Sequence, residues 1–147
     1  MDLHTTTSLT FALGTALIAA MTDARTGRIP NWLTLGSLGL ALLWQVGLWQ
    51  GNFTVDALLG IAAGGLIPLA AHVVTRGRAI GGGDVKLLAA LGAWLGPELV
   101  LHATISGLLL LLLYAVIKRR RGEIRMGPGL CAGTFLAAGL HLSTILS

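Results

Sequence analysis

The chain has 147 residues, 54% of them hydrophobic and only 11% charged, with a mean hydropathy of +0.81. A water-soluble domain of this size cannot hide so much apolar surface, so the composition excludes an ordinary soluble fold and points to an all-α, polytopic membrane protein. The formal net charge of +4 comes from basic residues in short stretches beside apolar runs, where they orient the chain in a membrane; no nucleic-acid partner is expected.

Thr5 to Met21 is the first apolar run, and its positive charges, Arg25 and Arg28, follow it instead of preceding it. It therefore reads as a membrane span and not as a signal peptide. Asp23 closes the run, and Thr26-Gly27-Arg28-Ile29-Pro30-Asn31 turns the chain, with Asn31 expected to N-cap a second span, Trp32 to Trp49. A turn over residues 50–54 leads to a third span, Val55 to Val74, whose Gly60 and Gly64 suit close helix packing. Arg76-Gly77-Arg78 then introduces a glycine-rich stretch, and Val85 to Leu95 forms a fourth, short segment that ends at Gly96-Pro97-Glu98. Leu99 to Ile117 is the fifth; Lys118-Arg119-Arg120-Arg121 stops it, and Pro128, in a first helical turn, opens a sixth that reaches Ile145.

The fourth segment is shorter than the roughly twenty residues that cross hydrocarbon as a helix. Charge parity nevertheless counts it as a crossing. With six transmembrane helices and both termini outside, all ten Lys and Arg fall on one side, while Asp2, Asp56 and Glu98 fall on the other. The expected architecture is thus one transmembrane domain over residues 1–147 in a cell membrane, with its basic face towards the cytoplasm.

Chemistry is expected at Gly81-Gly82-Gly83-Asp84-Val85-Lys86, a charged interruption in an apolar sequence. Glycines without side-chain bulk let another backbone approach, and a carboxylate at the start of an apolar segment requires a reason. The plain reason is that Asp84 N-caps the next helix. The six-span topology supplies a sharper one, because it puts Asp23 and Asp84 on the same side at similar depth. Paired carboxylates sharing a proton perform aspartic proteolysis, one activating water and the other polarising the scissile carbonyl, with no metal and no cofactor. The other chemistry these acids support is proton or ion conduction by a small six-helix bundle, although both stand at one face. His4, His72, His102 and His141 form no zinc-protease motif and read as hydrogen-bonded histidines; Cys131, between Leu130 and Ala132, reads as a buried thiol. Ser106 with His102 or His141 is read as a chance pairing rather than a serine-protease site.

These residues resemble the type IV prepilin leader peptidases, membrane aspartic proteases with a G-x-G-D motif. Gly81-Gly82-Gly83-Asp84-Val85-Lys86-Leu87-Leu88 is similar to the family's glycine-aspartate box, and Asp23-Ala24-Arg25-Thr26-Gly27-Arg28-Ile29-Pro30-Asn31 to its first-aspartate segment. Gly127-Pro128-Gly129-Leu130 resembles the Gly-Pro turn that opens the last span. The resemblance implies that Asp23 and Asp84 are catalytic, that Gly81 and Gly83 are the motif glycines with Lys86, Pro30 and Asn31 beside them, and that the partners are membrane lipids and pilin-like precursors with a basic leader and an apolar helix. Within that resemblance, the class of alternative is a non-catalytic pilus assembly subunit. Long members carry a cytosolic insertion with zinc-binding cysteine pairs, associated with N-methylation. This sequence has no such insertion and looks like the short form linked to tight-adherence (Flp-type) pili; archaeal preflagellin peptidases are similar too.

Overall fold

The computed structural model describes residues 3–47, 52–76, 80–118 and 126–146. Asp2, Trp49, the Gln50-Gly51 turn, Arg78 and the basic residues Arg119, Arg120, Arg121 and Arg125 lie outside the described residues. All described elements are helices: α1 (Leu3–Thr26), α2 (Asn31–Gly47), α3 (Asn52–Val74), α4 (Gly82–Lys118) and α5 (Met126–Leu146). Among the described residues, three helices are long and apolar enough to cross a membrane: Leu3–Thr26, Val55–Val74 and Gly82–Tyr114.

The expectation of six helices meets five elements, because the fourth and fifth apolar runs are joined in α4, which is broken at Gly96. Gly96 has φ 76° and ψ 176°, a backbone conformation that side chains obstruct, and Pro97 after it removes a helical N–H. The break reverses the chain. A β-carbon on Gly60 of α3 would strike the Gly92 carbonyl and approach Gly96, whereas one on Gly64 would strike the Leu88 carbonyl and approach the Val100 side chain. One arm of α4 (82–95) therefore runs antiparallel to α3, and the other (97–118) runs parallel to it.

The arm 82–95 is the centre of the bundle. Leu87, Leu88, Ala90, Leu91, Ala93 and Trp94 are all buried, so the helix is apolar and covered on most of its circumference, with Gly82 and Lys86 exposed near its start. Helix α1 lies against it in the opposite direction, with Phe11 stacked on Trp94 at a centroid distance of 5.0 Å. Helix α2 runs alongside: Lys86 meets Asn31 and Trp94 Nε1 donates to Ser37 Oγ at 3.0 Å. Helix α5 packs on the outer arm through small residues, where Gly107 touches the backbone of Gly129. Ser106 spends its hydroxyl on backbone carbonyls, at 2.7 Å from that of His102 and 3.2 Å from that of Gly133.

Polarity is arranged as a bilayer demands. Leu17, Ile18, Leu40, Leu43, Leu66, Ile67, Leu109, Leu112 and Leu140 point outward, while His4, Ser8, Thr15, Ser37, Gln45 and Thr134 are inside. Lipid tails are as apolar as leucine, so packing and interhelical hydrogen bonds hold such helices together. His4 Nε2 meets Gln45 Oε1 at 2.8 Å, and Thr15 Oγ1 meets Ser37 Oγ at 2.9 Å. Cys131 is buried, as read from its neighbours.

The tightest contact makes a test. Gly60→Val should lower stability by at least about 2 kcal/mol, because the side chain has only the Gly92 backbone to enter. Gly36→Ala, with nothing within 4 Å of the new β-carbon, should unfold in detergent at the wild-type temperature or slightly above. Equal melting of the two variants would show that α3 and α4 do not meet there.

Candidate active site

Asp23 stands in the last turn of α1, and the chain leaves that helix at once. Gly27 N–H donates to the Asp23 carbonyl at 2.9 Å with Gly27 at φ 67°, a left-handed C-cap that suits glycine. Ile29 and Pro30 follow, and the Pro30 carbonyl accepts the N–H groups of Leu33 at 3.1 Å and Thr34 at 3.4 Å. Pro30 thus occupies the N-cap position of α2. This corrects the expected role of Asn31, which is already the first helical residue; its side-chain oxygen instead accepts a bond from Lys86 Nζ at 3.0 Å.

The glycine stretch is also more helical than expected. The Gly81 carbonyl accepts from Asp84 N at 3.1 Å and Val85 N at 3.2 Å, which makes Gly81 the cap and Gly82, Gly83 and Asp84 the first turn of α4. Asp84 is therefore not the N-cap. From the third helical position its Oδ2 accepts the Gly81 N–H at 3.2 Å, the backward half of a capping box. That bond lets α4 begin at two glycines, residues that weaken helices by their backbone freedom.

The two acids come together. Asp23 is buried, at 7% exposure, and the carboxyl groups of Asp23 and Asp84 lie within electrostatic range of each other. The antiparallel pairing of α1 with the central arm brings about this meeting, since Phe11 with Trp94 at one level sets Asp23 with Asp84 about three turns away. Arg25, Arg28, Arg76 and Lys86 stand at the same end of the bundle. Asp56 and Glu98 stand at the other, where with His4, Ser8, Gln45 and His141 they line a cavity of about 310 Å³.

The three glycines face different surroundings. Gly81 and Gly82 are exposed, whereas Gly83 is half-buried, with its β-position 3.4 Å from Ile29 Cβ. The open backbone is at Gly81 and Gly82, and Gly83 seats the loop between α1 and α2. His72, read from the sequence only as a hydrogen-bonded histidine, belongs to this site: its Nδ1 lies 2.6 Å from the Ile80 carbonyl. The signal available was its position, four residues before Arg76 at the basic end of the third run.

Apolar helices long enough to cross a membrane, with two aspartates at helix ends on one side of the bundle, fit a polytopic membrane protein. The pattern of the type IV leader peptidase family matches residues 10–116, which include both acids, and the chain belongs to that family. Curated relatives agree. The chain is 41% identical over 143 residues to a prepilin leader peptidase/N-methyltransferase of Burkholderia pseudomallei, covering 88% of this chain and 43% of that protein. It is 38% identical over 148 residues to one of Dickeya chrysanthemi, covering 95% and 50% respectively, and 37% identical over 129 residues to one of Pectobacterium carotovorum, covering 80% and 45%. The chain thus spans about half the length of the curated relatives it matches. No solved structure gives a significant match.

Because Gly83 abuts Ile29, Gly83→Val should lower the melting temperature, and the double variant Gly83→Val/Ile29→Ala should regain most of the loss by removing the opposing side chain. Additive losses in the double variant, measured by thermal unfolding, would separate the two residues.

Proposed function

We propose that the protein is an intramembrane aspartic endopeptidase that removes the leader of pilin-like precursors at the cytoplasmic face of a bacterial or archaeal membrane. The observation that carries this reading is the convergence of Asp23 and Asp84, from the end of one apolar helix and the start of another. Membership of the leader peptidase family supports it. The substrate class follows from the names of the relatives, and the chemistry from the acids.

In this mechanism one carboxylate takes a proton from water as it attacks the scissile carbonyl, and the other carboxylic acid donates to the developing oxyanion. Collapse of the tetrahedral intermediate breaks the C–N bond, with the proton passed to the departing amine. The exposed backbone at Gly81 and Gly82 offers a surface for an unwound substrate segment beside the pair. Lys86, tied to Asn31, joins α4 to the loop carrying Pro30 and holds the two motif segments in register.

The topology belongs to the same proposal. If the arms of α4 each cross, the bundle spans the membrane six times as a single domain, with both termini outside and its basic end in the cytoplasm. A proton pathway is the weaker reading, since between Thr15 and Asp23 the buried face of α1 presents Ala16 and Ala19 over about two turns.

Asp23→Asn and Asp84→Asn should each abolish leader removal from a co-expressed precursor, a fall of at least about a hundredfold, with normal membrane accumulation. Substantial cleavage by either variant, read by mass spectrometry, would defeat the dyad. For the topology, Arg76→Cys in a Cys131→Ser background should react with an impermeant thiol reagent only after the cytoplasmic side is opened, and Glu98→Cys should react in intact cells. Both labelled from one side would rule out six crossings.

A further inference from the structure

We propose that His72 is a positioning residue for Asp84, acting through a single peptide unit. His72 Nδ1 lies 2.6 Å from the carbonyl oxygen of Ile80. A carbonyl only accepts, so Nδ1 carries a hydrogen and donates it. The N–H at the other edge of that same amide is that of Gly81, and it donates to Asp84 Oδ2 at 3.2 Å. The imidazole of α3 and the carboxylate of α4 therefore hold opposite edges of one planar plate, whose C–N bond does not rotate freely.

Two physical effects follow from this geometry. Donation into the Ile80 carbonyl polarises the amide, and the Gly81 N–H becomes a better donor to Asp84. The plate also loses its freedom to tilt, which matters where Gly81, Gly82 and Gly83 leave the backbone without side-chain restraint. His72 is well placed to act as the anchor. It stands two turns beyond Gly64, whose backbone packs against Leu88 of the central arm, and its Cε1 is 3.9 Å from the β-position of Gly82. The depth at which α3 docks on α4 is thereby passed to the rotamer of an acid that stands within electrostatic range of Asp23.

The inference rests on the reading of Asp84 as catalytic, and the experiment separates the two. The full chain in lipid nanodiscs is assayed with a synthetic type IV prepilin, for wild type, His72→Ala and His72→Asn, the amide nitrogen of Asn replacing Nδ1 as donor. Losing one hydrogen bond of ordinary strength should lower kcat roughly three- to tenfold in His72→Ala with KM unchanged, and His72→Asn should recover most of it. Hydrogen exchange at the Gly81 amide should speed up by a similar factor in His72→Ala and return towards wild type in His72→Asn. Wild-type exchange at Gly81 in His72→Ala, or equal losses of kcat in the two variants, would overturn the proposal. Should His72→Ala fail to fold, His72→Asn decides alone: near-wild-type kcat and exchange uphold it, and loss of either overturns it. Asp84→Asn measured beside them tests the dyad, and activity there sinks that reading without touching the Gly81 exchange result.

Discussion

The direct backbone contact of Gly60 with Gly92 is the constraint from which the rest of the structure follows. In a membrane there is little hydrophobic gain in bringing one apolar helix to another, so helices associate where small residues allow close packing. The contact locks the central arm of α4 at one depth against α3, and Gly64 against Leu88 extends it by a turn. Because Asp84 is rigidly part of that arm's first turn, its position along the bundle is set by glycines two turns and more away. The remaining helices are then placed by what the arm offers: Trp94 to Phe11 and Ser37, Ala93 to Gln45, and Lys86 to Asn31.

Helix ends are the natural place for acids in such a protein. In a helix interior every backbone group is satisfied within the helix, and an ionised side chain among lipid tails is costly. At an end there are free N–H groups and access to water. Asp84 uses this by accepting the Gly81 N–H, and Asp23 lies one turn from the Gly27 cap, so both acids sit where apolar helix gives way to loop. The loops serve the site as well as connecting helices: Ile29 seats on Gly83, and the Ile80 amide is held by His72.

The opposite end of the bundle has its own polar interior. His4 with Gln45, and Gln45 with the Ala93 carbonyl, hold α1, α2 and the central arm together just before the reversal at Gly96. There the side-chain amide of Gln45 does for the helix junction what glycine contact does at the middle. The two ends differ in charge, with Asp56 and Glu98 at this end and Arg25, Arg28, Arg76 and Lys86 beside the aspartates.

Much was legible in the sequence because apolar length, charge sign and glycine position are local quantities. Composition and the lengths of the apolar runs specified an all-helical membrane chain, Gly96-Pro97 marked a break, Gly60 and Gly64 marked a packing face, and two acids beside short basic loops marked the end where Asp23 and Asp84 meet. Family resemblance rested on the same local strings. What tertiary structure decided were relations between segments distant in sequence. That the arms of α4 form one kinked element follows from φ and ψ at Gly96, and that Asn31 serves Lys86 instead of capping α2 depends on a residue 55 positions away. Asp84 becomes the third residue of its helix because its side chain captures the Gly81 N–H, and Gly83 is covered because Ile29 lies over it. His72 enters the site only when α3 docks, since a hydrogen bond to a backbone carbonyl leaves no mark on the residue that supplies the carbonyl.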